Sequence, residues 1–146
     1  MIISLPDVNI WIALAAEGHV HHVPAREWFV AQPDASVAFC RITQMGLLRL
    51  LTNSNVMEGL RGLSFRLGDL RAVACRSTAG LRYRVGPSRC RLAPTHDPGW
   101  RWAEFLTDPY LAAFAEANSY SLVTFDRGFE RWPALNLTLL SSVQNR

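Results

Sequence analysis

Three aspartates stand at positions where a parallel sheet would bring them together. Asp7 follows the first apolar run, Asp126 follows a second run at 121–125, and Asp108 opens the helical pattern that leads into that second run. Ligands of an open parallel sheet gather beyond the carboxyl ends of its strands. Three carboxylates that converge there repel one another, and a divalent cation relieves the repulsion; their hard oxygens favour Mg²⁺ or Mn²⁺ over zinc. Because such an ion can activate water and stabilise charge on a phosphodiester, the pattern predicts a metal-dependent nuclease.

Each of these aspartates also has a structural interpretation. Asp108 precedes Pro109, and this pair is typical of a helix start, so a capping role competes with a catalytic one. Asp126 precedes an Arg-Gly pair and could serve only as a turn residue. Asp7 has the weakest structural interpretation, because an acid at the end of an apolar strand has little other reason to be there.

Two further polar residues lie close to these aspartates in the sequence. Asn9, two residues after Asp7, could supply an oxygen ligand, orient a neighbouring group through its amide, or cap the following helix. Thr124, two residues before Asp126, could position a water molecule or merely suit a strand. We take Asn9 and Thr124 as supporting residues of the predicted site.

The chain has no lysine, since all 15 of its Lys and Arg residues are arginines. This absence excludes the Walker-type phosphate loop and Schiff-base chemistry, which both need a lysine. Aspartates at strand ends also occur in phosphotransferases of the haloacid-dehalogenase and receiver classes, but both place a lysine in the site. The segment Asp7-Val8-Asn9 also lacks the second acid of the dehalogenase pattern. A nuclease is therefore favoured over a phosphotransferase.

Positive charge is concentrated in one stretch of the chain. Residues 61–101 hold nine arginines and two acids, a net charge of +7, whereas the whole chain has a net charge of +3. Arginine and glycine recur at 59–99 with neither a helical nor a strand period, and we interpret this segment as an irregular, insert-like part of a single domain spanning 1–146. A basic stretch suggests an anionic partner such as a nucleic acid, although many such stretches are simply solvated.

The cysteines and the N-terminus predict a cytoplasmic protein without a membrane partner. The three cysteines form no C-x-x-C pair and no disulfide framework. The apolar N-terminus has no basic residues and is interrupted by Pro6 and Asp7, which is unlike a signal peptide. No apolar run approaches the roughly 20 residues of a transmembrane helix.

His19 and His22 have a spacing that could bind a metal on one helical face. No acid or cysteine lies in register with them, and the H-E-x-x-H pattern is absent. We therefore expect these histidines to belong to a packed or solvated helix entry.

The hydrophobic pattern predicts alternating strands and helices. We expect strands at 2–5, 36–40, 121–125 and 137–140, and helices at 8–16, 23–31, 43–51 and 107–118. In the second helix, Val23, Trp28 and Phe29 are expected on the inner side. Alternation of this kind is typical of an α/β fold with a mainly parallel sheet.

Five segments together resemble the PIN-domain ribonucleases, and most closely the VapC toxins of bacterial toxin–antitoxin pairs. They are LPDVNIWIALA, HVHHVPAREWF, FCRITQMGLLRLLTN, LTDPYLAAFAEA and LVTFDRGF, within residues 1–57 and 104–140. The resemblance implies a three-layer α/β/α fold, a Mg²⁺- or Mn²⁺-dependent endoribonuclease, an antitoxin partner that blocks the site, and a homodimer. The family has helices and a strand where this chain has the atypical stretch at 59–99.

The same resemblance assigns the three aspartates as metal ligands. Asp7, Asp108 and Asp126 match the family's metal carboxylates. The wider family carries a further acid in a T-x-x-E pattern, where this chain has Gly46. Toxins of this branch often carry T-Q-x-G, so Gln44 or a water molecule is expected to stand in.

Three hypotheses follow for the function. The first is a metal-dependent endoribonuclease toxin that hydrolyses RNA with metal-activated water. The second is a catalytically inactive relative that only binds its antitoxin. The third is an arginine-rich nucleic-acid-binding module, whose binding would depend strongly on salt and would survive removal of the aspartates.

Overall fold

The computed structural model describes residues 2–34, 36–53 and 107–141. In chain order their strands and α-helices are β1 (Ser4–Pro6), α1 (Val8–Ala15), α2 (His22–Val30), α3 (Arg41–Leu51), α4 (Thr107–Ala117), β2 (Ser121–Thr124) and β3 (Leu137–Leu139), with a 3-10 helix (Arg127–Arg131) between β2 and β3. The predicted alternation is confirmed, and the fold is α/β. Among the described helices, none is both long enough and apolar enough to cross a membrane.

The three strands form one parallel sheet in the order β1-β2-β3. Leu5 pairs with Leu122, which pairs with Leu137 on its other side. Because the strands run in the same direction, their carboxyl ends meet at one edge of the sheet. Asp7 directly follows β1 and Asp126 comes two residues after the end of β2, so both predicted strand-end acids lie at this edge.

Helices cover the sheet on both faces. One core contains Leu5 and Leu122 of the sheet together with apolar side chains of α4. A second core packs α1 against α3 around Trp11. The consecutive residues Val37 and Ala38 belong to different cores, as expected for an extended segment whose side chains alternate between two faces. The described residues therefore form the three predicted layers.

The strand predicted at 36–40 is reduced to one isolated parallel bridge between Ser4 and Val37. The Ser4 N–H donates to the Ser36 carbonyl oxygen at 2.7 Å, and the Ala38 N–H donates to the Ser4 carbonyl oxygen at 2.7 Å. The next residue of β1 that faces this segment is Pro6, which has no N–H to donate. The ladder therefore stops after one step, and the predicted strand length was wrong.

The predicted inner side of α2 is wrong at Val23, which is 57% exposed. Ala25 is buried, and Trp28 and Phe29 pack against the second core. These three residues follow the spacing of one helical face. Val23 comes two residues before Ala25, about 200° away around the helix, and so points to solvent.

The arginine-rich stretch at 59–99 lies outside the described residues. Its irregular, insert-like character stays a prediction, and so does the single domain spanning 1–146. The sheet and both cores are built from the segments on either side of it.

Candidate active site

Asp7 lies at the junction between β1 and α1. Its backbone N–H donates to the Val123 carbonyl oxygen of β2 at 2.8 Å, continuing the β1–β2 pairing by one residue. Its carboxylate Oδ1 accepts from the Val8 N–H at 2.6 Å and so caps α1. The side chain is almost fully enclosed, with 5% of the residue exposed. Asp7 therefore has a structural role that the sequence did not reveal, since capping was considered for Asn9 instead.

Thr124, the last residue of β2, connects three groups of the site through one hydroxyl. Its Oγ1 donates to Asp7 Oδ2 at 3.2 Å. The same oxygen accepts from Asn9 Nδ2 at 2.9 Å and from the Asp126 N–H at 3.0 Å. A hydroxyl has one proton and two lone pairs, so all three are used. Thr124 is fully buried, and its hydroxyl fixes the positions of both strand-end acids.

The same network determines which way the Asn9 amide points. Because the single Thr124 proton is given to Asp7, the group that Asn9 turns toward Thr124 must be its NH₂. The Asn9 Oδ1 atom therefore points away from Thr124, and it is buried without a hydrogen-bond partner among the described residues. A buried, unpaired carbonyl oxygen is unfavourable in a finished protein interior and is an available ligand or acceptor at this edge of the sheet.

Asp126 opens the 3-10 helix and confirms the turn role that its sequence context suggested. Its Oδ1 accepts from the Gly128 N–H at 2.7 Å. A Cβ at position 128 would lie 3.0 Å from Asp126 Oδ1 and 3.3 Å from Oδ2, so any larger residue there would displace the carboxylate slightly. Unlike Asp7, Asp126 is exposed.

Asp108 is the second residue of α4, in the first turn together with Pro109. Its Oδ2 accepts from Arg131 Nη2 at 3.4 Å, so the carboxylate is joined to the end of the 3-10 helix. Burial raises the pKa of Asp108, the charge of Arg131 lowers it, and the charge of Asp126 raises it. The structure therefore places Asp108 within electrostatic reach of the strand-end acids.

The three predicted acids influence one another most clearly at Asp7. The pKa of Asp7 is raised from the ordinary 3.8 to about 6, mainly by burial and in addition by the charges of Asp108 and Asp126. Hydrogen bonds from the Val8 N–H and the Thr124 hydroxyl act in the opposite direction. The burial and the like charges outweigh the two donors, so the ionised form of Asp7 is held at a free-energy cost.

The donor atoms of this cluster are of the kind that a hard divalent cation binds. Asp7, Asp108 and Asp126 offer carboxylate oxygens, and Asn9 offers its unpaired buried Oδ1. In residues 2–34, 36–53 and 107–141, however, no three His, Cys, Asp or Glu side chains are grouped closely enough to hold an ion. The chemistry of the donors fits the cation, while the predicted ligand roles of the three aspartates stay predictions.

Comparison with known proteins decides the family. No protein-family model matches the chain. Ribonuclease VapC41 of Mycobacterium tuberculosis is 35% identical over 150 residues, covering 94% of this chain and 98% of the relative. From the same organism, Ribonuclease VapC38 is 35% identical over 130 residues (86% of each chain), and Ribonuclease VapC29 is 32% identical over 124 residues (85% of this chain and 86% of the relative). The chain belongs to the VapC ribonuclease family.

Membership of the VapC family confirms the resemblance carried by the five sequence segments. The parallel sheet with helices on both faces agrees with the expected PIN-like fold. The relatives align over most of their own length, so the similarity concerns whole proteins and not one shared motif.

In this VapC chain, the position of the wider family's helical acid is held by Gly46, which packs closely against α1. A Cβ at Gly46 would lie 3.3 Å from Val8 Cγ2, so α3 approaches α1 closely at this point. Gln44, the predicted substitute, is on α3, where its Oε1 accepts from Arg41 Nη1 at 3.3 Å. A supporting role for Gln44 stays a prediction.

His19, His21 and His22 of this VapC chain lie just before and at the start of α2, as expected for a packed helix entry. His22 Nδ1 is 2.8 Å from the Ala13 carbonyl oxygen and ties α2 to α1. Burial lowers the pKa of His19, and so do the nearby His21 and His22. The ring of His21 stacks on Phe125, between Thr124 and Asp126, with 4.4 Å between ring centroids. This contact brings α2 to the edge of the site.

Sequence reasoning missed two residues that act on the predicted acids. Arg131 contacts Asp108, and Gly128 leaves the space that the Asp126 carboxylate occupies. The run Asp-Arg-Gly-Phe-Glu-Arg at 126–131 carried a signal for Gly128, since a glycine two residues after an Asp permits the side chain to bond to the backbone. The contact to Asp108 had no such signal, because it joins positions 23 residues apart.

Proposed function

We propose that this protein is a Mg²⁺- or Mn²⁺-dependent endoribonuclease, the toxin of a type II toxin–antitoxin system. The observation that carries the proposal is the network at the carboxyl ends of β1 and β2, where Thr124 binds Asp7 and the Asp126 backbone and where the charges of three acids meet. The names of the relatives, all ribonucleases, support RNA as the substrate.

In this proposal Asp7, Asp108 and Asp126 hold one or two divalent cations, and Asn9 Oδ1 is a further oxygen near them. When bound, the cation supplies a Lewis acid that activates water and stabilises charge on the phosphodiester. Thr124 holds Asp7 Oδ2 and the Asp126 backbone in fixed positions, so the two acids are oriented before substrate arrives. Gln44 is assigned a supporting role on α3.

The raised pKa of Asp7 explains why a positive ion would be favourable at this site. The ionised Asp7 carboxylate is destabilised by burial and by the charges of Asp108 and Asp126. A neighbouring cation stabilises the ionised form and thereby lowers the pKa. Cation affinity is therefore expected to increase as the pH rises through about 6, where Asp7 loses its proton.

The proposal includes two protein partners, a cognate antitoxin and a second copy of this chain. Several apolar side chains on α2 and α3 and in the turn before α2 are exposed, as expected where another protein covers a surface. They are Val20, Val23, Val30, Met45 and Leu48. Because the substrate is cellular RNA and no disulfide framework is present in the sequence, we expect the enzyme to act in the cytoplasm.

The deciding experiment is RNA cleavage by the purified protein with Mn²⁺ or Mg²⁺ and with EDTA. Cleavage should require the ion and stop in EDTA. Asp7→Asn should lower the rate at least about 100-fold, because it removes a charged ligand while keeping an oxygen that can cap α1. Retention of full activity by this variant would end the assignment of Asp7.

A matched control comes from Asp34, an exposed acid near the opposite edge of the sheet. Asp34→Asn makes the same chemical change and should leave the cleavage rate as it is. Thermal unfolding of both variants then separates a loss of activity from a loss of fold. An equal loss of activity in both would contradict the proposal, because it would not depend on position.

A second candidate is an inactive relative that only binds its antitoxin. The arginine- and glycine-rich sequence at 59–99, where the family has helices and a strand, favours this candidate. It predicts no cleavage with either ion and intact antitoxin binding. Mn²⁺-dependent cleavage that disappears in Asp7→Asn would exclude it.

A further inference from the structure

Arg131 is held on two sides at the edge of the carboxylate cluster. Its Nη2 lies 3.4 Å from Asp108 Oδ2. Its guanidinium carbon lies over the Trp132 ring, 4.1 Å from the ring centroid, so the cation contacts the indole. Trp132 is itself anchored, because it packs against the first core and lies 5.4 Å from Phe129 between ring centroids. The position of the positive charge is therefore fixed by packing as well as by the ion pair.

The ion pair between Arg131 and Asp108 is one in which another anion can readily replace the carboxylate. The side chains of Arg131 and Asp108 are 43% and 33% exposed, and an ion pair with that much solvent contributes little to stability. A guanidinium has five N–H donors, of which the described contact to Asp108 uses one. The remaining donors are available to a second anion in the same plane.

An RNA strand that reaches this site needs a positive charge there. Phosphates are anions, and Asp7, Asp108 and Asp126 repel them. Of the arginines that the structure describes, Arg131 is the one that contacts one of these three acids, and a planar guanidinium binds phosphate oxygens in pairs. Arg127, on the same 3-10 helix, is paired with Glu130 and is 83% exposed.

We propose that Arg131 is a substrate-binding residue, whose guanidinium exchanges the Asp108 carboxylate for an RNA phosphate next to the cleaved bond. Trp132 keeps the guanidinium in place during the exchange. Asp108 is at the same time released for its own role in the cluster. This inference rests on the proposed ribonuclease function, and its test separates the two.

The test compares Arg131→Gln with Arg127→Gln, which removes the same charge four residues away on the same helix. Binding of a labelled single-stranded RNA is measured in EDTA, where no cleavage is expected. Arg131→Gln should weaken binding at least about tenfold, the value of one charge-assisted hydrogen bond to phosphate. It should also reduce the slope of log affinity against log salt by about 0.7, the value for one phosphate contact to a single strand. Arg127→Gln should leave both quantities near those of the wild type.

Steady-state cleavage with Mn²⁺ gives the second measurement. Arg131→Gln should raise KM more than it lowers kcat, and Arg131→Lys should recover part of the affinity, because it keeps the charge without the paired donors. If Arg131 only restrained Asp108, its loss would change Mn²⁺ affinity and kcat while RNA binding in EDTA stayed the same. That result would overturn the inference.

Failure of the proposed function would look different. A wild-type protein that cleaves no RNA with either ion would refute the endoribonuclease proposal. RNA binding in EDTA would still decide the role of Arg131, since equal affinities of the two glutamine variants refute it and a selective loss at Arg131 supports it. Thermal unfolding of each variant, with Arg131→Lys as the milder change, verifies that the compared proteins are folded.

Discussion

Asp7 and Asp126 occupy equivalent positions at the ends of neighbouring parallel strands and differ in their solvation. Each begins a helix, and each uses Oδ1 to accept a backbone N–H, from Val8 in one case and from Gly128 in the other. Asp7 is 5% exposed, whereas Asp126 is exposed. The local role of the two acids is therefore the same, and the environment of their charges is not.

The comparison shows that capping depends on residues close in sequence, whereas the burial of a carboxylate depends on segments far apart in sequence. The capping bonds join residues one or two positions apart. The burial that raises the pKa of Asp7 to about 6 and its bond to Thr124 depend on elements more than 100 residues away. The ionised carboxylate of Asp7 is therefore destabilised by burial and by neighbouring negative charges, whereas the carboxylate of Asp126 is solvated.

The largest expected effect concerns the pH dependence of stability. The folded state keeps a proton on Asp7 up to about pH 6, and the unfolded chain releases it near 3.8. The free energy of unfolding contributed by Asp7 is therefore greatest below about pH 4, falls as the pH rises through this window, and is lowest above 6. A shift of about two units corresponds to about 3 kcal/mol. Asp7→Asn lacks this titration, so its stability relative to the wild type should increase by about that amount between pH 4 and pH 7 in urea unfolding.

Asp126→Asn sharpens this test. The charge of Asp126 is one of the causes that raise the pKa of Asp7. Without it the folded-state pKa of Asp7 is lower, so the pH-dependent loss of stability should be smaller and should end at a lower pH than in the wild type. If the free energies of unfolding of Asp7→Asn and the wild type differed by the same amount from pH 4 to pH 7, the raised pKa of Asp7 would be refuted.

The next effect concerns Thr124, which links the two acids. Thr124→Val removes a buried hydroxyl with three partners and should lower the free energy of unfolding by about 2 kcal/mol. The pKa of Asp7 should rise further, because the Thr124 hydroxyl lowers it. An NMR titration of the Asp7 carboxyl checks this shift. Thr124→Ser keeps the hydroxyl and should keep the pKa, so a similar shift in both variants would refute the link.

The smallest effect concerns the exposed acid alone. In Gly128→Ala the new methyl group would lie 3.0 Å from Asp126 Oδ1, so the carboxylate must move. We expect kcat for RNA cleavage to fall about tenfold, with Asp7 and its titration unaffected. Gly18→Ala is the matched control, because nothing lies within 4 Å of a Cβ at that position. Equal rates for the two variants would show that the exact position of Asp126 is unimportant.

The sequence predicted the parts of the site that depend on where strands end. Asp7 and Asp126 were placed at the correct edge because a parallel sheet directs all its carboxyl ends the same way. The Thr124 network needed the strand register as well, in which Pro6 pairs with Val123 and Asp7 therefore lies beside the end of β2. Hydrophobic patterns carry no information on register between segments so far apart.

The features that the sequence predicted wrongly or did not reveal each depend on one or two particular residues. Val23 is apolar but lies on the outer side of α2, because the helix is oriented by Ala25, a residue too small to stand out in the pattern. Because Pro6 has no backbone N–H, the pairing of β1 with the segment at 36–40 ends after one bridge. The close approach of α3 to α1 at Gly46 depends on how two helices cross, which neither helix specifies alone.

The pairing of β1 with β2 has a consequence for the way this protein is made. Ribosomes synthesise Asp7 more than a hundred residues before Thr124. Until β2 has emerged from the ribosome, β1 cannot pair with it and Asp7 cannot be buried beside Thr124. A nascent or prematurely terminated chain that has not reached β2 thus carries the acid without the site, and the assembled cluster forms only after β2 has been synthesised.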